Sequence, residues 1–285
     1  MNAIFFALIS YVGWGSGDIF GAIAARKIGG YKTTFWIMLA AAILFSPLTI
    51  IYWNSLISTP LSIIILATFI GFFYQSGNFA VNEALRRTDA SIALTVMGSF
   101  GAFIVLFSTV FLRESLPLFH AGIIILIFIG VFLCTYQPKS SIKTLDMKGV
   151  WFALYAAISF GIFFTAVKVF SSTLSWFWPI YLSFLWIPFI YLYLRKIHIK
   201  PALSDIKSAF IPLLFNLLLL RGADFTFNIG LQLGLASVVA PIASASPTLS
   251  VILAFIIFHE KPTRRQLFGI ALALIGIVLL GFAGS

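Results

Sequence analysis

Apolar residues run through this chain in blocks of about 20, the length needed for a helix to cross the roughly 30 Å hydrocarbon core of a bilayer. Short polar stretches separate the blocks. The pattern predicts ten helices, at residues 3–25, 33–53, 61–82, 90–112, 117–136, 149–170, 176–194, 209–232, 235–258 and 267–283. The ten-residue alternation and polar lumen positions of a transmembrane β-barrel are absent. The first block has no basic region ahead of it and is one of many, so it reads as a span rather than a cleavable signal peptide. The expected fold class is an all-α, multi-pass membrane protein.

Composition agrees: 61% of the residues are hydrophobic and 9% are charged, against about 45–50% apolar and about 25% charged in soluble domains. A net charge of +10 changes the picture only through its placement. With loops numbered in order, Arg26, Lys27 and Lys32 fall in loop 1, Arg86 and Arg87 in loop 3, and Lys139, Lys143 and Lys148 in loop 5. Arg195, Lys196, Lys200 and Lys207 fall in loop 7, and Lys261, Arg264 and Arg265 in loop 9. The even loops and termini hold only Arg113, because Lys168 and Arg221 read as intrahelical. By the positive-inside rule the odd loops are cytoplasmic and both termini lie outside the cell (inner or plasma) membrane. The basic residues then set topology and meet anionic lipid heads. A nucleic-acid partner is not expected, since no basic patch clusters on a soluble domain.

Laying the sequence on itself with a shift of 146 residues exposes a repeat. Phe6, Ala7, Leu8 and Gly15 match Phe152, Ala153, Leu154 and Gly161; Asn82, Ser91, Glu114 and Gly130 match Asn228, Ser237, Glu260 and Gly276. The chain therefore divides into a first five-helix repeat at 1–136, a linker at 137–148 (QPKSSIKTLDMK) and a second repeat at 149–285. Five is odd, so equivalent helices cross in opposite senses. That is the inverted-repeat arrangement of many secondary transporters, whose substrates sit near the midplane between the halves.

The eighth block carries Arg221, Asp224 and Asn228; the shift maps them onto Gln75, Asn78 and Asn82 of the third. An arginine or aspartate at the centre of a span costs about 2.5–3.5 kcal/mol, against a gain of about 0.3–0.6 kcal/mol for each Leu, Ile or Phe. Such charges belong away from lipid. The spacing i, i+3, i+7 confines each triplet to one helical face, so both stripes are expected to face a shared interior cavity. The alternative is that they only tie helices together, through bonds averaging about 0.6 kcal/mol. Arg221 and Asp224, three residues apart, can also neutralise one another.

Helix breakers recur at matching depth: Gly98 and Gly101 in MGSFGAF, and Pro241 and Pro247 in PIASASPTLS, with Ser244 and Ser246 between. They are the candidate gating positions, although glycine and proline are in any case common in membrane helices. In VGWGSGDIFG, Gly13, Gly17 and Gly21 recur every fourth residue and form a small-residue packing face. Asp18 is one of few ionisable groups inside a span. Lys168 or Arg221 is its expected partner, and a role in proton coupling is open. Glu114 and Glu260 are expected in interfacial ion pairs with Arg113 and Lys261, which contribute little. Cys134 is the single cysteine, which excludes an internal disulfide. His120, His198 and His259 lack a second ligand at metal spacing. No metal or cofactor is expected, and without a carboxylate cluster or activated nucleophile no enzyme activity either.

The paired five-helix halves, Trp14 and Gly15, and the hairpins LRESLPLFHAG and HEKPTRRQLFG resemble the EamA family of the drug/metabolite transporter superfamily over nearly the whole chain. The resemblance implies ten helices in two inverted repeats, a central cavity lined by spans 1, 3, 4, 6, 8 and 9, and spans 5 and 10 outside it. It also implies export of amino acids or related metabolites, some members importing small solutes. Gly101 stands where proline is usual. The family is often drawn with cytoplasmic termini, the reverse of the charge distribution here.

The sequence thus reads as an alternating-access secondary transporter of small polar metabolites, as a monomer or homodimer in the lipid bilayer. Arg221 would attract a carboxylate, and Gln75, Asn78, Asn82, Asp224 and Asn228 would supply hydrogen bonds. Trp14, Tyr74 and Tyr11 would pack on the solute or on the core. Alternatives are an uptake permease for sugars or organic anions, or a passive channel or lipid scramblase.

Overall fold

The computed structural model describes residues 2–87, 93, 96–135, 147–258 and 263–283. Among these the chain is helical, with no strand. We label α1 Asn2–Ile28, α2 Gly30–Leu44, α3 Leu61–Arg87, α4 Phe100–Phe111, α5 Leu118–Thr135 and α6 Met147–Phe170. The run at 178–196 is α7, made of Trp178–Ser183, a 3-10 turn at Phe184–Trp186 and Ile187–Lys196. Next, α8 joins Leu203–Asn216 to Gly222–Leu233 through a π-helical turn at Leu217–Arg221. The last two are α9, made of Ala236–Ser244 and Pro247–Phe258, and α10, Arg264–Ala283. Among the described residues seven helices are long and apolar enough to cross a membrane (α1, α3, α5, α6, α8, α9 and α10), and α2 and α4 are shorter apolar helices.

Local chemistry explains where the boundaries moved from the sequence reading. The second block was expected to run to residue 53, yet α2 stops at Leu44, and two short helices, Leu48–Ile51 and Trp53–Ile57, cover the remainder. Pro47 lacks an N–H and disfavours helical backbone at the residue before it. Conversely α8 starts early, at Leu203: Asp205 Oδ2 accepts the N–H of Ala202 at 2.7 Å, and Oδ1 accepts from Lys32 Nζ at 3.0 Å. A carboxylate in the first turn satisfies donors that the helix itself leaves open. Of the expected linker, residues 137–146 lie outside the described residues, and α6 begins at Met147.

The helices pack with a two-fold regularity. As α1 rests on α8, α6 rests on α3; as α9 rests on α1, α4 rests on α6; and α5 pairs with α10. Close approaches repeat the rule at atomic scale. A Cβ on Gly15 would lie 2.8 Å from Leu249 Cβ, and one on Gly161 2.6 Å from Phe103 Cβ. A Cβ on Gly130 would meet Ala273 N at 2.5 Å, and one on Gly276 would meet Ile127 Cγ1 at 2.6 Å. The 146-residue shift exchanges the members of each pair. Backbones approach this closely only where side chains are small, the means by which helices pack when both are apolar. The stripe of Gly13, Gly17 and Gly21 does the same between α1 and α8: Cβ atoms there would lie 2.7 Å from Ala223 Cβ, 3.1 Å from Leu220 N and 2.7 Å from Asn216 Nδ2.

The outer surface is apolar. Leu118 is 91% exposed and Phe282 79%, with many Phe, Leu and Ile side chains between, far more than a water-facing surface carries.

Candidate functional site

Among the described residues a turn interrupts the helical path at matching positions in the two halves. The turn at residues 98–99 interrupts the approach to α4, and the turn at 245–246 divides α9; the 146-residue shift brings these breaks within one residue of each other. Proline explains the second, since Pro247 cannot donate to the preceding turn. In the first, Gly101 permits contact: a Cβ there would come within 2.6 Å of Ser244 Cβ. Gly98 and Pro247 line a cavity, whereas Gly101 and Pro241 sit behind its wall.

That cavity has a volume of about 600 Å³ and lies between the two halves, within the about 300–1,000 Å³ range of small-molecule sites. Its wall comes from α1, α2, α3, α6, α8 and α9, from the segment around Met97 to Phe100, and from the ends of α5 and α10. Reading along α1 gives its depth: Trp14 is at the floor, Asp18 one turn above, Gly21 and Ala22 higher, and Arg26 at the mouth. Along α3 the order is Tyr74, Asn78, Asn82 and Leu85. The mouth therefore opens at the end of the bundle that carries the basic loops. A second hollow of about 650 Å³, at the opposite end, has only Asn2 and His120 as polar side chains.

Four groups meet on the floor. Arg221 Nη1 donates to Asp224 Oδ2 at 2.7 Å and to Tyr74 Oη. Tyr74 Oη donates to Asp224 Oδ2 at 2.5 Å, and Trp14 Nε1 donates to Asp224 Oδ1 at 2.9 Å. The π-helical turn that ends at Arg221 is a local widening of the kind that recurs at functional positions. Arg221 is the last residue of that turn and Asp224 lies in the first turn of the α-helix that follows, three residues on and hence on the same face. Arg221 is 2% exposed and Asp224 3%. Two buried charges in contact cost several kcal/mol each to desolvate, offset by mutual attraction and hydrogen bonds. Both side chains border the cavity, with Asp224 as the counter-charge of Arg221.

Asp18 differs. Its side chain is exposed in the cavity wall, and it makes no ion pair among the described residues. Ser250 Oγ stands 3.5 Å from its Oδ2. Arg26 is eight residues further along α1, about 12 Å by helical rise. Their attraction at that distance is about 0.3 kcal/mol in water and about 1.4 kcal/mol at an effective dielectric of 20. Lys168, proposed above as a partner, is elsewhere: its Nζ donates to the carbonyls of Leu231 at 2.7 Å and Gly234 at 2.5 Å.

The expectation that all six polar stripe residues share the cavity needs correction. Asn78 and Asn82 are on its wall. Asn78 Nδ2 bonds the Tyr74 carbonyl at 2.8 Å, and Asn82 Nδ2 bonds Thr34 Oγ1 at 2.9 Å. Gln75 instead packs against α7, its Nε2 donating to Ser183 Oγ at 2.8 Å. Asn228 is fully buried below the floor and donates to the Trp176 carbonyl at 2.8 Å. The broad face of a helix touches two neighbours, so a shared face does not ensure a shared cavity. Tyr11 likewise lies off the wall, bonded to Thr248 Oγ1 at 2.8 Å. Asn216, Thr33, Thr34, Thr135, Ser246, Ser250 and Gln266 add to the polar lining.

Below the floor the bundle is sealed. Phe227 packs on Trp14 and Phe164 with ring centroids 4.9 and 4.8 Å apart, and Phe225 packs on Phe45 at 4.7 Å. At the same end the turn between α8 and α9 is gripped from both sides. Besides the Lys168 bonds to its carbonyls, Glu114 accepts from the N–H groups of Ala236 and Ser237, both at 2.9 Å. A carboxylate suits the positive end of α9, and an ammonium the negative end of α8. This corrects the expected Glu114–Arg113 ion pair; Glu260, Lys261 and His259 lie outside the described residues. His120 bonds the Ala283 carbonyl at 3.1 Å, and no group of three potential metal ligands occurs among the described residues.

Comparison with known proteins fits this geometry. An uncharacterized transporter of Archaeoglobus fulgidus is 23% identical over 285 residues, covering 98% of each chain. A solved crystal structure superposes with a TM-score of 0.76 at 18% identity, over 99% of this chain and 97% of the other, a likeness of fold. The model of the EamA-like transporter family matches residues 1–136 and again 147–282. Matched once in each of its halves, the chain belongs to the EamA-like transporter family, a transporter embedded in the membrane through its apolar helices.

Proposed function

We propose that the protein is a secondary carrier that exports small polar metabolites, amino acids or related compounds, by alternating access across the cell membrane. The observation that carries this reading is the cavity between the halves, polar on its wall, open at one end and sealed by aromatic side chains at the other. A sealed floor suits a carrier better than a continuous pore. Ten spans in two inverted repeats accord with the mirrored contacts of Gly15 with Leu249 and Gly161 with Phe103. Two halves with equivalent packing can exchange roles, opening the opposite end without new kinds of contact. The basic loops at the cavity mouth make this a cytoplasm-facing state by the positive-inside rule. Asn78 and Asn82 hydrogen-bond the solute, Trp14 and Tyr74 support it from below, and the Arg221–Asp224 pair shapes the floor.

Counterflow into proteoliposomes tests the reading. Purified protein loaded with one unlabelled solute is expected to accumulate the same labelled solute transiently and saturably, with amino acids, sugars and organic anions compared side by side. Flux that rises linearly with concentration and shows no exchange would instead make the protein a channel or scramblase.

A further inference from the structure

We propose that Asp18 is the docking group for a positively charged nitrogen on the solute, so that the cavity selects ammonium-bearing metabolites over purely anionic ones. This rests on the carrier reading above and narrows its substrate class. Asp18 is exposed in the cavity wall, and it lies four residues after Trp14 on α1, hence directly above it on the helix surface. At the level just below, Arg221 and Asp224 are bonded to each other. A solute entering from the mouth therefore meets Asp18 as the charge without a counter-ion at this depth among the described residues.

The surroundings suit an alkylammonium. Ser250 Oγ is 3.5 Å from the carboxylate, and Ser246 lines the same stretch of wall, so further oxygens can accept from an N–H group. The rings of Trp14, Tyr74, Phe100, Phe160 and Phe164 border the same space, and aromatic faces attract cations. A dicarboxylate would meet the like charge of Asp18, and the Arg221 guanidinium below it already has Asp224 as its counter-charge.

Matched probes separate the charges from the carbon skeleton. Phenethylamine, phenylalanine and 3-phenylpropionate form one set, and propylamine, β-alanine and propionate a short-chain set. Equilibrium binding of each to the purified full-length protein in detergent is measured alongside counterflow. The amine and the zwitterion of at least one set are expected to bind, and the anion to bind least. Asp18→Asn is expected to weaken the ammonium probes on the order of 30-fold or more, as for a charge partner removed from a site, with Asp18→Glu retaining part of the affinity. Asp18→Ser replaces Asp18→Asn should the latter not elute as a folded monodisperse species. Strongest binding of an anion, no binding of any ammonium probe, or unchanged affinity in Asp18→Asn would overturn the proposal. Asp18-dependent binding without counterflow would remove the carrier reading and leave the site. Counterflow indifferent to Asp18→Asn would do the opposite.

Discussion

The floor of the cavity offers the sharpest energetic test. Asp224 accepts three hydrogen bonds, from Trp14 at 2.9 Å, Tyr74 at 2.5 Å and Arg221 at 2.7 Å. Asp224→Leu removes the acceptor of all three bonds at once and leaves Arg221, 2% exposed, without a counter-charge. Breaking a buried ion pair from one side costs about 3–5 kcal/mol. Stranding the indole N–H and the tyrosine hydroxyl adds about 1–3 kcal/mol for each that water does not reach. Arg221→Met alone is expected to cost a similar amount, since it leaves the carboxylate unpaired. The double variant removes both charges, and apolar replacement of a whole buried pair is neutral or stabilising by about 1–4 kcal/mol. The double variant still strands the indole N–H and the tyrosine hydroxyl, so it should be more stable than Asp224→Leu, with a coupling between the two substitutions on the order of 3 kcal/mol. Equilibrium unfolding in mixed micelles, followed by helicity, gives the four free energies. Single losses under about 1 kcal/mol, the range of exposed pairs, or strictly additive losses, would refute the burial argument.

Gly101→Ala is expected to destabilise the protein, because its Cβ would come within 2.6 Å of Ser244 Cβ; Ser244→Gly in the same chain should recover most of the loss in a thermal melt. Lys168→Met removes the ammonium from the carbonyls of Leu231 and Gly234. It should loosen the sealed end, read as faster labelling of Ser237→Cys by a membrane-impermeant maleimide. Asn78→Ala and Asn82→Ala, on the cavity wall, should raise the apparent KM for transport roughly tenfold, about 1.4 kcal/mol, with little change in melting temperature. Gln75→Ala and Asn228→Ala should do the reverse, lowering stability by about 1 kcal/mol while the KM stays near its original value.

Much of this was legible in the chain itself. Helical blocks follow from length and hydrophobicity alone, since the bilayer leaves the backbone few other ways to satisfy its hydrogen bonds. The repeat was legible for a related reason: Gly15 and Gly161, or Gly130 and Gly276, are held to small size by backbones that approach within van der Waals contact. What a polar side chain faces is another matter. Gln75 and Asn78 lie three residues apart on α3, yet one bonds Ser183 of α7 and the other borders the cavity. Spacing alone allowed Arg221 to pair with Asp224, but only the packing of α3 and α1 brought Tyr74 and Trp14 onto the pair. Lys168 read as a partner for Asp18 until the turn between α8 and α9 claimed it. Sequence determined that these groups must avoid lipid, because that depends on each residue and the solvent around its segment. Only the packing of distant helices decided which of them pair, seal or remain open to a solute, because such contacts join residues that no local pattern relates.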